Sequence, residues 1–161
     1  MPSTSRPPAP PLIGALLRMP TEAVHRRILK EAQTAGFEDF VPAHLAVLRY
    51  PGPDGRRPSE LAAESGLTKQ AMNYLLGQLE DLGYLVRRDD PDDQRSKRVQ
   101  LTARGDALRR TVRETVTRIE QELEQQLGAP AYRQLRQLLV RLNETEVVHG
   151  ARVGQARTRL G

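Results

Sequence analysis

A short polar stretch, residues 68–74, carries side chains whose types and spacing suit recognition of a nucleic acid. Gln70 and Asn73 are three residues apart, so on a helix they share one face. Amides in that position can form paired hydrogen bonds with adenine, and Lys69 suits phosphate or guanine. The candidate contacts are Thr68, Lys69, Gln70, Asn73, Tyr74 and Gln78. The alternative is that these are ordinary solvated positions, with Tyr74 packed inward.

A second group of charged side chains follows, centred on Arg95. Its planar, always-charged guanidinium suits the narrow, negative minor groove of DNA. Asp93, two residues earlier, is placed to hold that guanidinium by a charge-assisted hydrogen bond. Flanking cations that could reach phosphates are Arg87, Arg88, Lys97 and Arg98, while the turn is expected to use Asp89, Asp90 and Asp92. The alternative is a solvated charged hairpin.

Two short helices are expected to position the first group. Ser59 can cap the first helix and Gly66 ends it, and Thr68 can cap a second helix that runs to about Asp81. The second helix has its apolar residues on one face, and a glycine follows it as a stop. Those apolar residues and the stop are Ala71, Leu75, Leu79 and Gly83. Gly77, inside the helix, costs ~1 kcal/mol relative to Ala, so we expect it to pack closely against a neighbouring helix.

A hairpin is expected to position the second group. Residues 84–88 and 97–101 have strand patterns and flank a turn-rich tip at residues 89–93. The order helix, turn, helix, hairpin predicts a winged helix-turn-helix with the recognition helix at about 68–81 and the wing at about 84–101. The predicted fold class is mainly α with a small β-hairpin wing.

The segment DPDDQRSKRVQLTARG, residues 90–105, resembles the wing of the MarR family of bacterial transcription regulators. Wings of that family read roughly D-P-x-D-x-R-x-x-x-V-x-L-T-x-x-G. The residues in register are Asp90, Pro91, Asp93, Arg95, Val99, Leu101, Thr102 and Gly105. Gln94 departs from the pattern, since many members carry an arginine there. The resemblance covers about Leu12 to Val148, because the flanking helices also keep the family's order.

The N-terminal helix, residues 12–36, has two apolar patches, which is more apolar surface than one small core needs. The patches are Leu12, Ile13, Leu16 and Leu17, and then Val24, Ile28 and Leu29. Pro20 is expected to kink or split this helix. The resemblance places the helix in a dimer interface, and the alternative is that it lies across its own core. The winged region, residues 37–101, then begins with a helix predicted from Val41 to Tyr50, followed by a turn. The resemblance implies a short strand after this turn, near Arg56.

Two C-terminal helices, together residues 102–148, are predicted to complete the dimerisation region. Thr102 can cap the first, which runs to about Leu127, and the last is predicted from Ala131 to about Val148. The first has a narrow apolar seam of coiled-coil type made by Leu108, Val112, Val116, Ile119, Leu123 and Leu127. The simplest partner for this seam is a second copy of the chain. An intramolecular pairing of the last two helices is the alternative, and both can hold at once. Residues 1–11 and 149–161 are expected to be flexible tails.

Composition excludes several classes of site. The chain has 161 residues, a formal net charge of +5 and no cysteine, so disulfides, thiol sensors, cysteine zinc sites and cysteine nucleophiles are absent. The histidines are scattered at His25, His44 and His149 without ligand spacing, and no nucleophile or phosphate-loop motif occurs. We therefore expect that the protein is not an enzyme and that it binds no metal and no cofactor. No apolar run is long enough to cross a membrane, which with the tail composition predicts a cytoplasmic location.

The resemblance implies a homodimeric regulator that binds double-stranded DNA at a pseudo-palindromic operator. Similar proteins are often repressors that small aromatic anions release from DNA. The resemblance would place such a ligand in a crevice lined by Val24, Ile28, His44, Leu48 and Val112. The competing interpretations are nonspecific DNA binding, which depends on salt but not on sequence, and a protein-interaction module.

Overall fold

The structure, a computed structural model, describes residues 11–48 and 55–148. Within those ranges the elements run α1 (Ile13–Thr34), a 3₁₀ turn (Pro42–His44), α2 (Leu45–Leu48), α3 (Pro58–Ser65), α4 (Lys69–Asp81), β1 (Leu85–Asp90), β2 (Asp93–Leu101), α5 (Ala103–Leu127) and α6 (Ala129–Asn143). The fold is mainly α with one antiparallel hairpin, which confirms the predicted class. Residues 1–10 and 149–161 of the predicted tails, with His149, lie outside the described residues. None of the described helices is long and apolar enough to span a membrane.

The two long helices, α1 and α5, pack against each other and flank the winged region. α1 passes through Pro20 as one continuous helix, so the predicted split does not occur there. The Thr21 hydroxyl donates to the Leu17 carbonyl oxygen at 2.8 Å in the turn where proline removes a backbone donor. The core joins buried side chains of α1, α2, α3, α4, the hairpin and α5, including Ile28, Leu61 and Leu108.

The predicted second helix is present as far as the structure describes it. It starts as a 3₁₀ turn at Pro42 and continues as α2 through Leu48, and residues 49–54, with the predicted end of this helix and the turn after it, lie outside the described residues. Proline fits the first turn because that position has no intrahelical hydrogen bond to lose.

Helix α3 begins two residues earlier than predicted, so the prediction that Ser59 is the cap is wrong. Arg57 occupies the cap position and Pro58 the first helical position. The backbone N–H of Arg57 donates to the Glu60 carboxylate at 3.1 Å, which satisfies one of the free N–H groups at the helix start. Gly66 ends α3 with φ +71°, a conformation that side chains with a Cβ rarely adopt.

Helix α4 has the predicted bounds and the predicted cap. The Thr68 hydroxyl accepts a hydrogen bond from the Ala71 N–H at 3.1 Å. The fully buried face consists of Met72, Leu76 and Leu79, so the predicted face through Ala71 and Leu75 is rotated by one residue. Apolar residues occupy two adjacent stripes of this helix, and only packing decides which stripe faces the core.

Gly77 of α4 does not have the close neighbour expected from the sequence. A Cβ atom at this position would meet nothing within 4 Å. The tight approach in this region is instead made by a different glycine, Gly105, at the start of α5.

The hairpin runs further toward its tip than the sequence pattern indicated. Leu85 pairs with Leu101 at its base, Arg88 with Arg98 further out, and the register shifts between Asp89 and Asp90. The predicted short strand before α3 is a single antiparallel bridge between Arg56 and Val99, with N···O distances of 3.1 and 2.8 Å.

Much apolar surface remains uncovered in the single chain. The α5 seam is buried at Leu108 and Ile119 but becomes exposed toward Leu127. α6 leaves several large apolar side chains exposed, as does the start of α1. These are Leu135, Leu138, Leu139 and Val140 on α6, and Leu12, Ile13, Leu16 and Leu17 at the N-terminal end. Helix α6 spans Ala129–Asn143, whereas a helix over residues 131–148 was predicted. It begins earlier than predicted because Ala129 and Pro130 fit its first turn.

Candidate nucleic-acid interface

The N-terminal half of α4 presents a polar face to solvent. Thr68, Lys69, Gln70 and Asn73 are exposed. Tyr74 is 67% exposed, which excludes the inward packing that the sequence left open. Gln78, one turn later, is half-buried and donates through Nε2 to the Tyr74 hydroxyl oxygen at 3.1 Å. Five of the six candidates are therefore available for contact, and Gln78 supports one of them.

His44 lies buried behind this helix. Its Nδ1 accepts a hydrogen bond from the Val41 N–H at 3.3 Å, which requires the neutral ring. Burial lowers the pKa of His44 below its ordinary value, and the Gln78 side chain and the charge of Asp39 oppose that shift. The imidazole is thus a packed, neutral group beneath α4.

At the wing, Arg95 is exposed as predicted, but the role predicted for Asp93 is wrong. Asp93 accepts the backbone N–H of Arg95 at 3.0 Å and the Ser96 hydroxyl at 2.8 Å, and not the guanidinium. A short aspartate side chain reaches its own backbone two residues on more readily than a long arginine tip. These two hydrogen bonds, from Ser96 first, hold the pKa of Asp93 below its usual range. Asp93 therefore shapes the turn that carries Arg95.

Most of the predicted phosphate-contacting cations of the wing are paired within the protein. Lys97 pairs with Asp89, its cross-strand partner, and Arg98 with Asp92 at 2.8 Å. Arg87 Nε lies 3.1 Å from Glu80 of α4. Cross-strand register brings Asp89 to Lys97 rather than into the turn. Asp92 lies in the turn, as expected, and also pairs with Arg98. Within the part of the chain that the structure describes, Arg88 and Arg95 have no carboxylate within 4 Å.

Asp90 has a role that the sequence analysis missed. It accepts the Asp92 N–H at 3.0 Å, which confirms a turn function, but it is also buried, with 1% of its surface exposed. Arg57 Nε donates to its Oδ2 at 2.6 Å, and Arg98 Nε lies 2.9 Å from its Oδ1. Burial alone would raise the pKa of Asp90, but these partners outweigh it and hold the pKa below its ordinary value. Arg57 is 33 residues away, so no local pattern could have revealed the contact.

A cleft of about 260 Å³ separates α4 from the wing, with the N-terminus of α3 as its floor. Its lining combines ammonium, guanidinium, amide and hydroxyl groups. The lining residues are Arg57, Pro58, Ser59, Lys69, Asn73, Ser96 and Lys97. Such donors suit the oxygens of a phosphodiester backbone. Ser59 and Ser96 were not among the predicted contacts, and only their placement beside Lys69 identifies them.

The residues predicted to line a ligand crevice are packed into the core of the single chain. Ile28, His44 and Leu48 are buried, while Val24 and Val112 are half-buried against the same core. A neighbouring cleft of about 330 Å³ lies beside them, lined by His25, Pro42, Ala43, Leu45, Ala46, Ser65, Leu67 and Leu75. Apolar spacing marks residues that point inward, but it does not distinguish a packed core from the wall of a cavity. Within the described residues, no three histidine or acidic side chains are grouped as metal ligands would be.

Comparisons with known proteins agree with this geometry. Residues 42–96 match the model of the MarR family. The HTH-type transcriptional repressor Rv2887 of Mycobacterium tuberculosis is 35% identical over 88 residues, which cover 55% of this chain and 63% of that relative, less than two thirds of its length. The curated relative is named as a transcriptional repressor.

Two solved structures extend the comparison to most of the chain. The transcriptional repressor CouR bound to a 23-mer DNA duplex gives a TM-score of 0.67 at 28% identity, covering 83% of this chain and 93% of CouR. Rv2887 of M. tuberculosis in complex with salicylic acid gives 0.59 at 29% identity, covering 84% and 98%. Both likenesses therefore extend beyond the winged region.

Proposed function

We propose that this chain, whose residues 42–96 match the model of the MarR family, is a MarR-type homodimeric, sequence-specific DNA-binding regulator of transcription and not an enzyme. The observation that carries the proposal is the arrangement around the cleft. The exposed polar end of α4 forms one side, and the hairpin that carries Arg95 forms the other. In this arrangement, one set of side chains can contact base edges while another set binds the DNA backbone.

The dimensions of B-DNA favour this assignment. The major groove admits an α-helix, and the minor groove beside it is narrow and attracts arginine. If α4 lies in the major groove and the wing tip in the adjacent minor groove, the phosphodiester strand that separates the grooves must pass between them. The cleft between α4 and the wing supplies donors for that strand from Ser59, Lys69 and Ser96. Gln70 and Asn73 are then left to read base edges.

A second copy of the chain is the proposed partner of the exposed apolar surface. Leu138 is 52% exposed and Leu127 is 48% exposed, on helices that pack together in one chain. Because these side chains are already about half-buried, completing their burial would stabilise each by roughly half of the ~1.5–3 kcal/mol of full burial, so a two-fold interface that covers several of them would be favoured. Two-fold symmetry predicts a pseudo-palindromic operator whose half-sites are about one helical turn apart.

We further propose that a small aromatic acid regulates binding, as a repressor released by its ligand. The Rv2887 structure contains salicylic acid. In this chain the cleft lined by His25, Ser65 and Leu75 is the candidate site, because it is open and touches both α1 and the recognition helix. A ligand bound there would favour a dimer in which α4 takes a different position relative to the dimerisation helices. DNA as the partner also supports the expected cytoplasmic location.

The test is fluorescence anisotropy of the full chain on duplex DNA from upstream of its own gene, with scrambled duplex as the control. A preference of about 10³-fold or more is expected for a site-specific regulator. Equal, steeply salt-dependent binding to both duplexes would support nonspecific binding, and no binding at low salt would support a protein-interaction module. Adding salicylate to the preferred complex then tests the ligand response, and unchanged affinity with this and other phenolic acids contradicts it.

A further inference from the structure

The wing is attached to the rest of the winged region at two places. At its base, Tyr84, Leu85 and Val99 are buried in the core, and Val99 forms the backbone bridge to Arg56. Toward its tip, from Arg88 to Lys97, Asp90 is the buried residue among the side chains that the structure describes. Among the described residues, the tip half of the wing is therefore attached to the rest of the winged region through the Asp90 carboxylate.

That carboxylate joins three segments of the chain. Its Oδ2 accepts from Nε of Arg57, the residue that caps α3, at 2.6 Å. Its Oδ1 faces Nε of Arg98 on β2 at 2.9 Å and accepts the Asp92 N–H at 3.0 Å. Arg98 continues to Asp92 at 2.8 Å. A buried carboxylate with partners on both oxygens is strongly directional, because leaving any of them unpaired is costly.

We propose that Asp90 is a positioning residue that fixes the wing tip relative to the recognition helix and so presents Arg95 to DNA. This inference rests on the proposed DNA-binding function and adds the contact that fixes the position of the wing tip. Asp90 itself faces Arg57 and Arg98 and is too buried to contact DNA. Its effect on affinity must therefore pass through the wing, and mainly through Arg95.

A double-mutant cycle tests this dependence. Asp90→Asn keeps the shape of the side chain but removes its charge. Arg95→Ala alone should weaken binding to the preferred upstream duplex by about tenfold, and Asp90→Asn alone by a similar factor. In the Asp90→Asn background, Arg95→Ala should weaken binding further by less than about twofold, because the guanidinium is no longer held in place. Gln70→Ala, on α4, should retain its full effect in both backgrounds.

Asp89→Asn is the matched control. It makes the same chemical change one residue earlier, at an exposed carboxylate paired only with Lys97 among the described residues. Because it releases Lys97, which lines the cleft, it changes affinity only through charge, and it should leave the fold-change caused by Arg95→Ala unchanged. Circular dichroism melting of each variant checks that the fold is intact. If Asp90→Asn does not fold, Arg57→Lys takes its place, since it keeps the cation in the cleft but loses the Nε donor.

The outcomes are distinct. If wild-type protein binds the duplex and the Asp90–Arg95 cycle is additive, the inference is overturned while the proposed function stands. Coupling of Asp90→Asn to Gln70→Ala as strong as to Arg95→Ala also overturns it, because the effect would then be general. No binding of any duplex by wild-type protein overturns the proposed function and this inference with it.

Discussion

Gly105, in the first turn of α5, packs directly against the backbone carbonyl of Tyr84. A Cβ atom at position 105 would lie 2.0 Å from that carbonyl oxygen and 3.1 Å from Cδ2 of Leu101. The same oxygen accepts the Thr102 N–H at 3.0 Å. The base of the wing and the start of α5 therefore meet backbone to backbone, with no room for a side chain.

Gly105→Ala is accordingly expected to destabilise the protein by ~3 kcal/mol, because backbone and not a flexible side chain must move. The measurement is the free energy of unfolding from a denaturant titration. Gly77→Ala is the control on another helix, where nothing lies within 4 Å of the added atom. That variant should be stabilised by ~1 kcal/mol, since alanine is the better helix former. Equal stability of the Gly105→Ala variant and wild type would contradict the close approach.

Lys69 and Gln70 are adjacent on α4 but should affect DNA binding differently. Lys69 lines the cleft proposed for the phosphate strand, so Lys69→Ala should weaken binding to all duplexes and reduce the slope of log affinity against log salt by about 1. Gln70→Ala should lower the preference for the specific duplex by roughly tenfold and leave the salt slope unchanged. Arg133→Ala, on α6, controls for the loss of one positive charge. The same salt slope in the Lys69→Ala variant as in wild type would place Lys69 outside the phosphate contacts.

The exposed leucines of α6 should govern assembly. Leu138 is 52% exposed in the single chain, and placing a charge there should prevent its burial against a second copy. Leu138→Glu is expected to shift the protein from dimer to monomer in light scattering after size-exclusion chromatography. Gln137→Glu, which adds the same charge at the neighbouring position, should remain dimeric. A dimeric Leu138→Glu variant would remove α6 from the proposed interface.

The buried His44 predicts a pH dependence of stability. Its pKa is lowered by burial, so the folded protein keeps it neutral where the unfolded chain, with a value near 6.5, takes up a proton. Above pH 6.5 it should have no effect, and as the pH falls below that value it should increasingly favour unfolding. Wild type should therefore lose more stability between about pH 7.5 and about pH 5.5 than the His44→Gln variant does. Carboxylates contribute little in this window because their ordinary pKa values lie below it. Equal losses in the two proteins would show that His44 does not carry the effect.

The amino-acid sequence alone determined the order and type of the elements. The roles of residues that act on their immediate neighbours could be predicted, because a helix cap or a helix stop depends on a few bonds nearby. Thr68 and Thr102 cap α4 and α5, and Gly66 ends α3. The fold class and the family likeness followed from that order and from the wing motif. The exposure of Arg95 at the wing tip was also predicted correctly.

Only the tertiary structure decided which side chains meet across the chain. It paired Asp90 with Arg57, packed the residues expected around a crevice at His44 into the core, and gave Gly105 rather than Gly77 the close contact. It also removed Arg87, Lys97 and Arg98 from the unpaired cations of the wing. Local patterns fix the direction in which a side chain points, but the partner it reaches depends on packing between distant segments. For that reason a candidate interface could be proposed from sequence, while the contacts that hold it in shape could not.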